Sequence, residues 1–278
     1  MENLIKKLDL NEYITNFSKL FAREKSIILE GDINIHYKII SELSKYNINQ
    51  PLSVQNLDSQ LMHLQKQGVL RVYEIYEFIK IINYFLYLKR FNFEGKLLEW
   101  MDKIIIPNDI LKICEYFDDK ANLKEGVDED FDNIKQAIYK NKEEIKQSLY
   151  KTINSSKIKP YLVDMQVHFI NEQECLLVRG GFNHILSGSV IDRSNSGFFY
   201  VIPHSVSDLK EKQSDLKNKQ EEILFKLCKE ISHIFEKNLL FLKFINKEFD
   251  RFDHYQARIF FSKIGDKNFI LPSKKDEN

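Results

Sequence analysis

Basic side chains concentrate in two segments of this chain and could bind phosphate groups. Residues 140–159 contain six lysines and only two acids, and residues 210–219 contain four lysines and two acids. The whole chain has 41 basic and 41 acidic residues, so this excess is local. Lysines spaced along a surface contact phosphates without reading base sequence. The pattern indicates a nucleic-acid backbone as one partner, and a solvated helix surface as the alternative.

A glycine-rich apolar stretch, residues 176–203, lies between the two basic segments. It holds four of the nine glycines and is rich in Val, Ile and Phe, which predicts a small β-module broken by turns. Gly180 and Gly181 indicate a bulge or a close approach of two backbones. Residues 192–197, DRSNSG, predict either an ordinary hairpin turn or an anion-binding nest. An exposed aromatic at this tip, such as Phe198, Phe199 or Tyr200, could stack on a base.

These patterns select a set of candidate nucleic-acid-binding residues. Arg179 and Arg193 are the arginines of the β-module, and the lysines are those nearest to it in sequence. No pattern suited to reading base edges is present, so contact to backbone and shape is expected. The candidates are Lys151, Lys157, Lys159, Arg179, Arg193, Ser194, Asn195, Lys210 and Lys212.

Catalytic and metal-binding patterns are weak. The three histidines of the β-module have neither ligand-like spacing nor an evident carboxylate partner. The three cysteines are far apart and form no CxxC pair, which predicts inert thiols in a reducing cytoplasm. No signal peptide and no membrane-length apolar run is visible, so a cytoplasmic chain without a membrane partner is expected. We expect no metal, no cofactor and no catalytic residue in this chain. The three histidines are His168, His184 and His204, and the three cysteines are Cys114, Cys175 and Cys228.

Helical periodicity dominates the remainder and predicts a mainly α fold. Apolar spacing indicates a first helix from Leu8 to about Leu29 and a largely buried helix around residues 72–91. Past residue 128 a narrow apolar stripe predicts an outgoing helix, which Pro160 follows. Strands are expected at 163–170 and 175–178, and a returning helix from Ser207 or Asp208 to about Phe260. The expected architecture is a helical core with a long antiparallel helix pair that carries a small antiparallel β-module at its tip.

The order of these elements resembles the MutS family, and three stretches carry the resemblance. The second stretch matches a strand, a G-x-V-H-D-x-S-x-S-G turn and a further strand, and is the most specific. It departs from the family where Ile191–Asp192 replaces His–Asp and where Ile202–Pro203 replaces Glu–Pro. The stretches are LDLNEYITNFSKLFAREKSIILEGDINIHYKIISEL (8–43), LLVRGGFNHILSGSVIDRSNSGFFYVIPHSV (176–206) and INKEFDRFDHYQARIFFSK (245–263).

The resemblance is closest to the type-two, recombination-suppressing bacterial branch, and it implies a division of the chain. The expected segments are a helical core or lever (1–127), an outgoing arm helix (128–159), a β-rich clamp module (160–205), a returning helix (206–262) and a linker (263–278). No GxxxxGK[ST] loop occurs in the sequence. ATP and Mg²⁺ are therefore expected in an ATPase domain outside this chain, as is a C-terminal nuclease-type domain. The chain itself is not expected to be an enzyme.

The resemblance also implies partners. The first expectation is a clamp that grips branched or duplex DNA by backbone and shape, in suppression of recombination and in DNA repair, within a homodimer of full-length chains. An alternative is a clamp that grips rRNA during rescue of collided ribosomes, because the same lysines suit A-form RNA. A third is a non-catalytic coiled-coil scaffold that binds another protein.

Overall fold

The computed structural model describes residues 7–171, 173–182, 184–264, 268 and 270. The chain forms two compact units, residues 1–124 with 227–278 and residues 125–226. Most of the expected linker 263–278 lies outside the described residues, as does Glu172 in the expected turn after the first strand. The described part is mainly helical, with one small four-stranded antiparallel sheet. None of its helices combines the length and the apolar character needed to cross a membrane.

The first unit is built from short helices around one buried helix. Helix α4 is buried on several sides, as its apolar sequence predicts, with side chains such as Ile75, Phe78 and Phe85 fully buried. Asp32 caps α2 by accepting a hydrogen bond from the backbone N–H of Asn34 (2.8 Å). The helices of this unit are α1 (Asn11–Ser18), α2 (Ile33–Leu43), α3 (Asp58–Gln65), α4 (Val72–Leu88), α5 (Gly95–Asp102) and α6 (Asn108–Glu115). Two longer helices follow later in the chain, α8 (Ser207–Lys237), which spans the boundary at residue 227, and α9 (Leu239–Ile264).

The prediction of one helix from Leu8 to about Leu29 is wrong, because α1 ends at Ser18. The residues after it are used in tertiary contacts. The backbone N–H of Ala22 donates to the Asp253 carboxylate at 2.9 Å, and the Arg23 guanidinium reaches into the unit. A continuous helix would direct the backbone N–H of Ala22 at its own carbonyl four residues earlier, so the bond to the Asp253 carboxylate competes with helix formation here.

A buried polar cluster joins this segment to α9, and it consists of Arg23, Lys25, Asn246, Asp250 and Asp253. Arg23 donates to both carboxylate oxygens of Asp250 at 2.8 and 2.7 Å and to the side-chain oxygen of Asn246 at 2.8 Å. Lys25 bridges Asp250 (2.6 Å) and Asp253 (2.7 Å). Burial favours the neutral acid, but the Arg23 hydrogen bond and the Lys25 charge outweigh it and lower the pKa of Asp250. At Asp253 burial prevails over the charge of Lys25 and raises the pKa.

The returning helix is not continuous, contrary to the sequence prediction. It ends at Lys237 as α8 and resumes at Leu239 as α9. The side-chain amide of Asn238 donates to the carbonyl of Ile234 (2.9 Å), and its backbone N–H donates to Phe235 (3.1 Å). Asn238 therefore closes the end of α8. The apolar seam continues on both sides of the break.

The second unit combines helix α7 (Glu129–Ile153) with the sheet and the first part of α8. Asp128 caps α7 through the backbone N–H of Phe131 at 2.7 Å, as the acidic start of the helix predicts. The strands are β1 (Leu162–Ile170), β2 (Gln173–Val178), β3 (Gly188–Arg193) and β4 (Phe199–Pro203). Their order across the sheet is β1-β2-β4-β3, and every neighbouring pair is antiparallel.

One hydrophobic core holds this unit together. The end of α7 contributes Ile145, Leu149 and Ile153, which pack with the sheet. Residues 175–178 of β2 are all buried, so both faces of this central strand are covered. The strand contributions to the core include Leu162, Cys175, Leu176, Val178, Val201 and Ile202.

The buried polar cluster gives a prediction about stability. Replacing Arg23→Ala leaves Asp250 without its main partner, and we expect a loss of about 2–4 kcal/mol in the free energy of unfolding. This is somewhat less than for a fully buried pair, because the Asp250 side chain is 37% exposed while that of Arg23 is 5% exposed. Urea unfolding checks the value. The matched control is Lys96→Ala, which breaks an exposed, solvent-screened pair with Glu99 and should cost much less stability. Equal losses for the two variants would contradict the role given to Arg23.

His254 in α9 gives a second prediction, on pH. Its Nδ1 accepts a hydrogen bond from Arg258 (3.1 Å), and burial together with the Arg258 charge lowers its pKa to about 4. The unfolded chain binds this proton near pH 6.5. Stability is therefore lost as pH falls from about 6.5 toward 4. Between pH 7 and pH 5 we expect His254→Gln to lose less stability than the unaltered chain, by on the order of 1 kcal/mol, in urea titrations at both pH values. Identical pH slopes would refute this assignment.

Candidate nucleic-acid interface

The register of the sheet gathers candidate residues at one of its ends. Leu162 of β1 lies opposite Val178 of β2, Val178 opposite Phe199 of β4, and Phe199 opposite Arg193 of β3. The start of β1, the end of β2, the start of β4 and the end of β3 therefore meet. We call this the basic sheet end and define it as Lys159, Arg179, Arg193, Ser194 and Asn195. All five were selected from sequence alone.

Arg179 and Lys159 are fixed by the turn that enters β1. The backbone N–H of Arg179 donates to Tyr161 (3.0 Å), and its Nε donates to the carbonyl of Leu162 (3.1 Å). Lys159 begins the single 3₁₀ turn Lys159–Tyr161 that precedes β1. Both side chains are exposed, and neither forms an ion pair with any residue that the structure describes. Their charge faces solvent.

Residues 194–198 connect β3 and β4 as a hairpin turn. The carbonyl of Ser194 accepts from the N–H of Gly197 (2.9 Å), and the Ser194 hydroxyl accepts from the N–H of Phe198 (3.0 Å). Gly197 has a φ of +83°, which favours glycine. The bonds use Ser194 within the turn and leave Asn195 exposed at its tip. This is the ordinary turn that the sequence offered as the alternative to a nest.

Arg193 and Gly180 show how closely the turns approach each other. The Arg193 guanidinium lies over the ring of Phe199, 5.3 Å from its centroid, which orients the cation while leaving it exposed. A Cβ atom at Gly180 would lie 3.0 Å from the carbonyl oxygen of Gly197. The close backbone approach predicted from the glycine pair is therefore confirmed at Gly180.

Lys210 and Lys212 differ from the basic sheet end because acids compensate them. Lys210 forms an ion pair with Glu174, at the other end of β2, and burial followed by the charge of Lys217 lowers its pKa. Lys212 lies 3.6 Å from Glu144 of α7. Neither offers isolated positive charge, since each links elements of the second unit. Lys151 and Lys157 are exposed and have no ion pair with a described residue.

The first part of α8 runs alongside α7 in the opposite direction. The Asn141 amide donates to the carbonyl of Leu209 (3.1 Å), and the Ser148 hydroxyl donates to Ser205 (3.1 Å). Further along, Ile134 and Ile223 line the same small cleft. Residues progressively earlier in α7 therefore contact residues progressively later in the chain, as in an antiparallel helix pair. Lys140 and Lys142 are exposed on this part of α7.

The aromatic residues selected from sequence are less accessible than expected. Phe198, Phe199 and Tyr200 are all half-buried, since strand pairing holds two of them in the sheet. Sequence reasoning missed Phe182, which is 40% exposed and packs against Tyr161 with ring centroids 5.1 Å apart. Its position directly after Gly180–Gly181, in a turn, was the available signal.

The histidines and cysteines take no visible part in chemistry. His168 does have a carboxylate partner, contrary to the sequence reasoning, because its Nε2 lies 3.0 Å from both oxygens of Asp164. No group of three or more metal-ligating side chains occurs among the described residues. The cysteines are buried, and burial raises the pKa of the Cys114 thiol to about 12 and those of Cys175 and Cys228 to about 11. These thiols are poor nucleophiles.

Comparison with known proteins gives two close relatives in one species. The chain is 33% identical over 275 residues to Endonuclease MutS2 of Helicobacter pylori strain ATCC 700392 / 26695, and 34% identical to that of strain J99 / ATCC 700824. Each match covers 97% of this chain and 36% of the relative, so the chain spans about a third of the length of the curated relatives it matches. No protein-family model matches the chain. The matches run across nearly the whole sequence, and the chain therefore belongs to the type-two MutS family, as a partial region of a longer protein.

Proposed function

We propose that this chain binds DNA through the basic sheet end, which contacts the phosphate backbone. One observation carries the proposal. Lys159, Arg179 and Arg193 come from three separate segments, meet at one end of the sheet, and are exposed without an acidic partner among the described residues. The relatives' name, an endonuclease of the MutS2 type, supports a role connected with DNA.

Charge without a partner is the feature that a phosphate surface needs. An ion pair must be broken before either member binds elsewhere, whereas an exposed cation needs only to release its counterions. Asn195 adds a polar side chain beside the cations, and besides the Nε bond to Leu162 the Arg179 guanidinium donates to no other residue that the structure describes. None of these groups is arranged to read base edges. The expected recognition is of backbone and shape.

The rest of the proposal follows from family membership. Segment 128–159 and the part of segment 206–262 that lies in the second unit, up to residue 226, would form the arm pair that carries the clamp 160–205. The first unit, which contains the remainder of segment 206–262, would be the core. In the full-length protein, ATP and Mg²⁺ would act in an ATPase domain, two chains would form a homodimer, and the role would be suppression of recombination. The contacts between α7 and α8 support the arm pair within the second unit. Preference for branched DNA is part of the same proposal.

The central test removes charge at the basic sheet end. The triple variant Lys159→Gln, Arg179→Gln, Arg193→Gln should bind a DNA duplex about tenfold or more weakly at moderate salt. The slope of log affinity against log salt should become shallower by roughly 2–3, one unit for each lost phosphate contact. Fluorescence anisotropy across a salt series measures both. The matched control carries three exposed lysines of the first unit changed in the same way, Lys45→Gln, Lys103→Gln and Lys120→Gln.

The proposal is supported if the variant of the basic sheet end binds DNA much more weakly than the control variant does. Equal affinities would overturn it. A structured RNA in parallel titrations decides between the DNA and rRNA interpretations, because tighter RNA binding that depends on the same three residues would assign the surface to RNA. Binding by neither nucleic acid would favour the protein scaffold.

Lys210 provides a separate prediction, because its charge is already compensated. Replacing Lys210→Met leaves Glu174 unpaired in a partly buried position and should lower the free energy of unfolding by about 1–2 kcal/mol. DNA affinity at moderate salt should change by less than about twofold. Urea unfolding and anisotropy on one preparation check both values. A large loss of DNA affinity with unchanged stability would contradict this prediction and would show that Lys210 contributes to DNA binding.

A further inference from the structure

An aromatic pair, Tyr161 and Phe182, lies beside the basic sheet end, and part of its surface is exposed to solvent. Tyr161 and Phe182 pack with ring centroids 5.1 Å apart and an interplanar angle of 38°. Phe182 is 40% exposed although the core of this unit, which is built from other residues, lies close by. A large apolar ring in an exposed turn loses the benefit of burial. The exposed part of the ring is accessible to a ligand.

The backbone fixes this pair beside the cations. The N–H of Phe182 donates to the carbonyl of Arg179 (3.2 Å), while the N–H of Arg179 donates to Tyr161 (3.0 Å). Tyr161 also belongs to the 3₁₀ turn that begins at Lys159. Both aromatic residues are thus within one turn of a basic residue.

The adjoining hairpin turn is held against the same segment. A Cβ atom at Gly180 would lie 3.0 Å from the carbonyl oxygen of Gly197, which is tighter than most real contacts of a Cβ atom. This contact brings the turn that follows Arg193 next to Gly180 and Gly181, the pair before Phe182. Two aromatic rings and three cations therefore come from segments that touch one another.

We propose that Phe182, supported by Tyr161, stacks on an unpaired nucleobase of DNA whose phosphates the basic sheet end contacts. Aromatic rings stack on every base with little sequence preference, and a neighbouring cation supplies the phosphate contact. A paired base inside a duplex exposes no face for stacking. The ligand class is therefore DNA with unpaired nucleotides, such as an overhang, a flap or the branch point of a junction. This inference rests on the proposed function and deepens it.

The test compares a DNA duplex with the same duplex that carries a short single-stranded overhang labelled with 2-aminopurine. The unaltered chain should bind the overhang DNA more tightly and quench the 2-aminopurine fluorescence. The preference for overhang DNA over the duplex should be about tenfold. Phe182→Ala should abolish this preference and the quenching of 2-aminopurine, and should change the affinity for the duplex by less than about twofold. Phe182→Trp should retain both. The matched control is Phe169→Ala, which removes a ring that is 67% exposed near the other end of β1; its preference should remain.

The outcomes separate this inference from the proposed function. Salt-dependent duplex binding without an overhang preference, or with a preference that Phe182→Ala retains, would overturn the stacking role and leave the phosphate surface intact. A loss of all binding by the triple charge variant together with a selective loss in Phe182→Ala supports both. A preference seen only with RNA overhangs overturns the DNA assignment. Absence of binding to every probe overturns the proposed function and this inference with it. Thermal unfolding of each variant shows that the fold is retained.

Discussion

The register of β2 is the constraint on which the candidate interface depends. This strand pairs with β1 on one side and β4 on the other, and residues 175–178 are buried on both faces. A slip of one residue would exchange the side chains that this strand presents to its two covered faces and would disturb the close packing on both, so the register is strongly specified. Val178 is thereby aligned with Leu162 and Phe199. Arg179, directly after β2, and Arg193, at the end of β3, take their places from that alignment.

The sequence predicted those parts of the fold that local pattern decides. The burial of α4, the acidic cap of α7 and the two strands before Val178 follow from periodicity and turn chemistry, and they agree with the structure. Two helix boundaries did not follow. α1 stops at Ser18 because the next residues bind carboxylates more than two hundred positions away, and no local pattern records such a partner. The break at Asn238 likewise depends on a single side-chain bond within an unbroken apolar seam.

For the candidate site too, the sequence predicted some features, while others depend on tertiary contacts. Sequence can count lysines but not their partners, so Lys159 and Lys210 were equivalent candidates until the structure placed Glu174 beside Lys210. Aromatic residues raise the same difficulty. Phe198 and Phe199, which the sequence indicated as candidates, are both half-buried in the structure. Phe182, which the sequence did not indicate, is 40% exposed in the turn after Gly181. Accessibility is a tertiary property, and it decides which side chain can meet a ligand.

Two arginines of this chain show how desolvation separates structural from binding charge. Arg23 is withdrawn from water and makes hydrogen bonds to a carboxylate, an amide and backbone carbonyls, so its charge is spent within the first unit. Arg179 has one bond to a carbonyl and no acidic partner among the described residues, so its charge remains available to an incoming anion. In the proposed interface, Coulombic attraction between the exposed cations and phosphate would act over about a Debye length. The proposed stacking on Phe182 would act only at contact. In the proposed interface Gly180 would therefore join the long-range and the short-range contributions, since it lets the turn after Arg193 approach the segment of the aromatic pair, and a Cβ atom there would require the Gly197 carbonyl to shift.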